Sequence, residues 1–397
     1  MKSPEQPLTI DEDRYSRLRL LPWWDQEKLR RSKVMVVGAG ALGNEILKDL
    51  ALLGVGNILI VDCDKVETSN LSRSVLFRPS DEGRPKAHAA AEAVRSLNPD
   101  CTVFALDCDV ATAVGLGVFR WADVIVCGLD NGRARMAVNS ACWKVNRPMV
   151  DGATEGFCGV ARVFRPPDGA CYECTLGEKD LKLLDVRNSC GFLAREAVRR
   201  GRTPTTPTTS AVVAGIEVQE AIKLLHSRDL CALAGKGFFF DGNTYDCFVI
   251  DYTRNGDCLS HDTMERIVET DLRSETASPD DVIEVARDYL PGEVTLDMPG
   301  DVITSLHCRE CNSSEPFYRL LDTVDGDEPK CPKCGTVRVP NVTAECRAGS
   351  EFASVALAKL GFGVLEIVAA RSGEDVVGIE ISGDREAVFG PSSAPRW

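Results

Sequence analysis

Short apolar runs and amphipathic stretches alternate along the first third of the chain. An amphipathic segment, DRYSRLRLLPWWDQEKLRRS (residues 13–32), leads into a first strand, KVMVV (33–37). NILIVD ends at Asp62, PKAHAAAEAVRSLN has helical spacing, and CTVFAL, DVIVCG and RPMVDGA read as further strands. Strands alternating with helices predict an α/β fold: a doubly wound, Rossmann-like parallel sheet with helices on both faces.

Past Arg165 the pattern changes. Cysteine pairs, a basic stretch and RTPTTPTTS predict an irregular crossover (201–210), followed by a helix, AVVAGIEVQEAIKLLH, and a hairpin, FFFDGNTYDCFVIDY, turning at Asp241-Gly242. Beyond about residue 262 the pattern predicts a helix in PDDVIEVARDYL, strands in EVTLDM and DVITSLHC, a cysteine region, a helix in GSEFASVALAKLG, then strands VLEIVAA and VVGIEIS. Two strands, a helix and two strands is a β-grasp order, with the cysteines inserted after the second strand. The expected organisation is a helical N-terminal segment (1–32), a Rossmann-like domain (33–261) with a crossover at about 175–210, a β-grasp-like domain (262–384) carrying cysteine knuckles (308–334), and a disordered tail (385–397).

Composition narrows the function. The 397 residues hold 46 Lys and Arg against 60 Asp and Glu, a formal charge of −14, which argues against nucleic-acid binding. No apolar run reaches membrane-spanning length, and MKSPEQPLTIDEDR does not resemble an export signal. The 17 cysteines therefore read as reduced thiols, metal ligands and a candidate nucleophile in a cytoplasmic protein.

Gly38, Gly40 and Gly43 form a glycine-rich turn between a strand and a helix, where backbone can approach phosphate, and Asp62 ends the next strand in reach of a ribose. Alone, these would suggest a dehydrogenase. Asn70 and Arg73 in the following loop, Lys86 at a helix start and Asp130 after DVIVCGL belong to the same sheet edge. Two cations, an amide and a carboxylate suit a triphosphate with Mg²⁺ better than a nicotinamide; singly, either cation reads as a solvated surface charge.

The string formed by Asp62, Asp64, Val66, Ser69, Asn70, Leu71 and Arg73 resembles the adenylation domain of the ThiF/MoeB and ubiquitin-activating enzyme superfamily, over about residues 14–261. The resemblance implies a nucleotide site of Gly38, Gly40, Gly43, Asp62, Asp64, Asn70, Arg73, Lys86 and Asp130. Asp62 would serve the ribose, Asn70, Arg73 and Lys86 the phosphates, and Asp130 the Mg²⁺. RYSR resembles the motif whose second arginine, here Arg17, reaches the ATP of the opposite protomer, implying a homodimer. SRS stands where the family commonly has NRQ. The implied chemistry is ATP-dependent adenylation of a ubiquitin-like modifier's C-terminal glycine.

Two cysteine sets have zinc-knuckle spacing. Cys171, Cys174, Cys258 and His261 match where the family places two CxxC pairs, with histidine as the last ligand; a surface histidine is the alternative. Cys308, Cys311, Cys331 and Cys334 read as a zinc ribbon. Cys101, Cys127, Cys142 and Cys247 read as small core residues. Cys190, near Arg187, Arg195, Arg199 and Arg200, would be held towards thiolate. Its surroundings resemble the C-x-x-x-x-P-T-T-x-x-V-V-A-G pattern of thioester-forming members, with an insertion. The resemblance thus implies a Cys190 thioester and handover to a conjugating enzyme captured by the C-terminal domain. A sulfur-carrier adenylyltransferase and an inactive scaffold are the alternatives. The layout also resembles activating enzymes of bacterial ubiquitination-like antiphage operons.

Overall fold

The computed structural model describes residues 13–177, 204–324 and 328–390. Over its described residues, 13–32, the expected N-terminal helical segment is two short pieces, a 3₁₀ turn at Leu18–Leu20 and α1 (Gln26–Arg31). Pro22 lies between them, and Asp25 opens α1 by accepting from the Lys28 amide at 3.0 Å.

Five parallel strands follow: β1 (Lys33–Val37), β2 (Asn57–Val61), β3 (Thr102–Leu106), β4 (Val124–Cys127) and β5 (Met149–Glu155). An antiparallel extension adds β6 (Cys158–Phe164), β7 (Lys236–Asp241) and β8 (Asp246–Asp251), giving the order β3-β2-β1-β4-β5-β6-β7-β8. The connecting helices are α2 (Ala41–Leu53), α3 (Lys86–Leu97), α4 (Leu116–Trp121), α5 (Gly132–Lys144) and α6 (Pro207–His226). Successive strand residues point to opposite faces, so the central strands fill two cores. Val34, Val36, Ile58 and Ile60 pack with residues of α2, α3 and α6. Met35, Val37, Leu59 and Val61 pack with residues of α4 and α5.

The crossover ends earlier than its sequence suggests. Helix α6 begins at Pro207, because Thr206 caps it by accepting from the Thr209 amide and proline suits the first helical turn. Cys247, expected in the core, is exposed on the edge strand β8, whereas Cys101, Cys127 and Cys142 are buried.

The C-terminal unit departs further from expectation. Its elements are β9 (Ile267–Thr270), α7 (Pro279–Ala286), β10 (Thr295–His307), β11 (Ser314–Leu320), β12 (Val339–Arg347), α8 (Leu357–Leu360), β13 (Ile367–Ser372), β14 (Asp375–Ile381) and α9 (Arg385–Phe389). The sheet runs β11-β10-β13-β14-β9, with β12 also on β10. The two strands expected before the cysteines are one strand, β10, whose pairing with β12 shifts register between Asp297 and Val302. The helix expected over residues 349–361 shrinks to α8, stopped by Gly361 at φ +89°. The two-strand, helix, two-strand order is therefore not the one that folds.

Nor is everything after Asp384 a tail. Phe389 on α9 is buried, stacking on Trp121 at 4.7 Å and meeting Phe104 edge-on at 5.2 Å. Beside it, Arg120 Nε stands 3.0 Å from buried Glu380, and Arg385 reaches the same carboxylate at 2.9 Å. The amides of Gly115 and Gly117 donate to the carbonyls of Val364 and Leu365. The two sheets thus meet through a packed, hydrogen-bonded seam around α4.

Candidate nucleotide site and metal-ligand clusters

At the end of β1, Gly38 adopts φ +93°, and a Cβ there would lie 2.6 Å from the Gly128 carbonyl oxygen. A Cβ on Gly43 would lie 1.8 Å from the Gly38 oxygen, and one on Gly128 2.6 Å from the Gly43 nitrogen. These three glycines let the β1–α2 turn press against the end of β4. Gly40 is different: a Cβ there would meet nothing within 4 Å. It opens α2 with no side-chain cap, so the space beside Gly40 at this helix start is open, as an anion there would require.

Asp62 follows β2 and holds that turn. Its carboxylate accepts from the Ala39 amide at 2.7 Å and the Asp64 amide at 2.8 Å. Burial raises its pKa above the ordinary carboxyl value, against the opposing pull of Lys86 and the two amides. Lys86, first residue of α3, places Nζ 2.8 Å from Asp64. Burial alone would lower the Lys86 pKa, but Asp62, Asp64 and Asp130 outweigh it and raise it, so this lysine stays charged.

Asn70 is buried and its side-chain oxygen accepts from the Glu67 amide at 2.9 Å, closing the turn Thr68–Asn70. The Arg73 guanidinium donates to the Ser69 carbonyl at 2.6 Å. Asp130 is exposed just beyond β4 and forms no ion pair among the described residues, leaving an oxygen donor suited to a hard cation. The structure thus gathers Gly38, Gly43, Asp62, Asp64, Lys86 and Asp130 at one sheet edge, and Asn44 ties the chain just after the Asn70–Arg73 turn to it at Leu76. Asn44, missed in the sequence, donates to the carbonyls of Ala39 and Gly40 and accepts from the Leu76 amide. Its signal was a polar residue on the apolar face of α2. Arg17 is exposed and makes no side-chain hydrogen bond among the described residues. Cys190 and its flanking arginines lie outside the described residues.

A buried charge cluster beneath Asp130 was also missed. Arg135 on α5 donates to Asp151 at 2.9 Å, to the Leu129 carbonyl at 2.6 Å and to the Gly152 carbonyl at 3.0 Å. Arg162 stands 2.6 Å from the other Asp151 oxygen. Glu217 on α6 is fully buried beside them, with no hydrogen-bond partner for either oxygen among the described residues. Burial first, and Asp151 second, push its pKa well above the ordinary value. The sequence signal was an acid inside the apolar run RPMVDGA.

Both cysteine sets come together, and they are the metal-ligand groups found among the described residues. In the first, Cys171 Sγ lies 3.7 Å from Cys174 Sγ and 3.5 Å from Cys258 Sγ, and Cys174 Sγ lies 3.4 Å from His261 Nε2. In the second, Cys308–Cys334 and Cys311–Cys331 are 3.4 and 3.5 Å apart. A tetrahedral zinc with Zn–S bonds of about 2.3 Å needs ligand atoms about 3.8 Å apart, so both sets fit that ion. Four protein ligands make closed, structural sites. The first rests on α5: the Tyr172 amide donates to Asn139, and the His261 ring packs on Trp143 at 4.3 Å.

The ThiF family profile matches residues 13–260. The SAMP-activating enzyme E1 of Haloferax volcanii is 36% identical over 255 residues, 62% of this chain and 87% of that protein. The sulfur carrier protein adenylyltransferase of Thermus thermophilus is 39% identical over 170 residues, 41% of this chain and 63% of that protein. The NEDD8-activating enzyme E1 catalytic subunit of Caenorhabditis elegans is 40% identical over 174 residues, 39% of this chain and 40% of that subunit. The match thus spans less than two thirds of the last two proteins. The fold is also that of Escherichia coli MccB, whose structure with ATP aligns at a TM-score of 0.53 with 22% identity, covering 64% of this chain and 75% of that one. Among the described residues no helix is long and apolar enough to cross a membrane.

Proposed function

The chain belongs to the ThiF family, and from that premise we propose that it is an ATP-dependent enzyme that adenylates the C-terminal glycine of a ubiquitin-like modifier. One observation carries the reading: an open helix start at Gly40, the Asp62 carboxylate, charged Lys86 and exposed Asp130 share one edge of the sheet. The modifier carboxylate attacks the α-phosphorus of ATP, the bond to the β-phosphate breaks, and pyrophosphate leaves. A carboxylate is a poor electrophile, and AMP gives it a leaving group. The protein's part is to hold the reactants in line and meet developing charge, with Asn70, Arg73 and Lys86 at the phosphates. Magnesium bound with the nucleotide supplies further charge neutralisation, and Asp130 would hold it.

The finer reading continues at Cys190. Its thiolate attacks the activated carbonyl, AMP leaves, and the modifier stays as a thioester for transfer to a conjugating enzyme. The ribbon-bearing C-terminal unit is the candidate for capturing that enzyme, and Arg17 for reaching the partner's nucleotide in a homodimer. The Thermus relative supports a second reading, adenylation of a sulfur carrier with no enzyme thioester.

ATP–pyrophosphate exchange with candidate modifiers, followed by a non-reducing gel, separates these readings. Asp130→Ala is expected to lower exchange by about 100-fold or more. Cys190→Ala is expected to keep exchange and lose the thiol-sensitive adduct. Exchange surviving in Asp130→Ala sinks the adenylation site as drawn. An adduct surviving in Cys190→Ala moves the nucleophile, and no adduct in the native chain favours the sulfur-carrier reading. Light scattering on the same preparation tests the dimer, since a monomer removes the role given to Arg17.

A further inference from the structure

Asp130 sits on a short link between β4 and α5, and an exposed carboxylate on a loop has no geometry of its own. Here the link is held from both sides. The Leu129 carbonyl, in the peptide bond immediately before Asp130, accepts from Arg135 at 2.6 Å. That guanidinium is itself fixed by Asp151 at 2.9 Å and the Gly152 carbonyl at 3.0 Å, both on β5. Arg162 on β6 braces the far oxygen of Asp151 at 2.6 Å. On the other side, Asn131 caps α5 by accepting from the Ala134 amide at 2.8 Å, and its amide nitrogen lies 3.2 Å from Asp130 Oδ1.

From this arrangement we infer that Arg135 is a positioning residue for the magnesium-dependent part of nucleotide binding, with Asn131 as its exposed counterpart. The inference rests on the reading of Asp130 as the magnesium ligand. A guanidinium suits the task because its planar fork meets a carboxylate and two carbonyls together. A lysine keeps the charge but presents one ammonium, which cannot reproduce that fork. Arg135 is buried against the backbone just before Asp130, so the effect assigned to it is on how well the Asp130 carboxylate meets the cation.

The test is isothermal titration of ATP into the full chain, with and without Mg²⁺. The native chain is expected to bind ATP more tightly with Mg²⁺, and Asp130→Asn to lose that gain. Arg135→Lys is expected to keep the metal-free affinity and lose about tenfold of the gain. Asn131→Ser, which keeps a competent helix cap, should lose a smaller part of it. A gain that persists in Asp130→Asn, or is missing from the native chain, refutes the reading of Asp130 itself. A gain lost in Asp130→Asn but intact in Arg135→Lys overturns the role of Arg135. Equal loss of metal-free affinity in Arg135→Lys also overturns it, by showing general damage to the site. Should Arg135→Lys not fold, Asn131→Ser decides alone, and an undiminished gain there rejects the inference.

Discussion

Cys171, Cys174, Cys258 and His261 bring together chain segments 87 residues apart, whereas Cys308 and Cys334 of the second cluster are separated by 26. The donor geometry is nearly the same in both, but the surroundings differ. The first cluster lies against α5, with Asn139 holding the Tyr172 amide and Trp143 packed on His261. The second is supported by its own turns, the Cys308 and Cys331 amides donating to Ser313 and Thr336, and leaves Cys311 and Cys334 exposed. A ligand set therefore does not fix how far the loss of a metal held there would spread. The first cluster is anchored to the helix that starts beside Asp130; the second is confined to the β10–β11 and β12 region.

The largest expected effect follows from that contrast. A structural zinc contributes about 10–16 kcal/mol of apparent folding free energy in small zinc domains, comparable to the whole stability of an ordinary domain at about 5–15 kcal/mol. Cys258→Ser is therefore expected to lose the folded adenylation unit and pyrophosphate exchange with it. Cys331→Ser should bind one zinc fewer, keep exchange within about twofold, and lose order only in the ribbon, because that cluster is locally supported. Metal content, exchange rate and a thermal melt on each variant check this. Full exchange in a zinc-depleted Cys258→Ser chain would erase the difference between the clusters.

The same contrast explains what could be read from the sequence. That Asp62, Asp64, Lys86 and Asp130 share one sheet edge was legible because they follow strand ends at short, fixed intervals, and that the cysteine pairs meet was legible because ligand spacing is itself a motif. The C-terminal unit was harder. Pro299-Gly300 signals a turn, yet β10 runs through it, absorbing the break as a register shift against β12. Phe352, Ala353, Leu357 and Leu360 have helical spacing and are buried, but turns occupy most of that stretch. Phe389 follows Ala387 and Val388 in a stretch too short to show a period, so nothing announces that Trp121 receives it. Arg135 and Asp151 are 16 residues apart, and only the packing of α5 on β5 makes them a pair.

A second, smaller effect tests whether the regions holding the two clusters behave as one body. Phe389 joins them through Trp121 and Phe104, and it is almost fully buried. Phe389→Ala is expected to cost about 3–5 kcal/mol by loss of burial and the cavity left behind. The cost should fall on the seam, so a scanning melt that is a single transition in the native chain should split into two. A single transition at an unchanged midpoint would show that Phe389 contributes nothing to coupling the two regions.

The smallest expected effect asks whether the support of the first cluster extends inward to the buried charges beside Tyr172, where Arg162 lies over the tyrosine ring at 5.2 Å. Glu217 is the weak point there, since neither carboxyl oxygen has a partner among the described residues, and Gly152 leaves it only just enough room. Burial, reinforced by Asp151 and opposed by Arg135 and Arg162, keeps its proton on well above the ordinary value of 4.5. The folded chain therefore holds a proton that the unfolded chain releases as pH rises past that value. With more protons bound in the folded state, stability is full below the unfolded pKa and falls as pH rises towards the folded one, by up to about 1.4 kcal/mol per pH unit. Glu217→Gln keeps the shape and cannot ionise, so this contribution disappears. Near pH 4 the two chains should differ little beyond the swap of hydroxyl for amide. Between pH 5 and 7 the variant should become progressively more stable than the native chain, by about 1–3 kcal/mol at the upper end. Urea midpoints across that range measure the gap, and the Cys331→Ser background should show the same gap, because the ribbon lies outside this charge cluster. A gap that stays constant with pH would mean that Glu217 is ionised in the fold and matched by the arginines, making the cluster a compensated ion network.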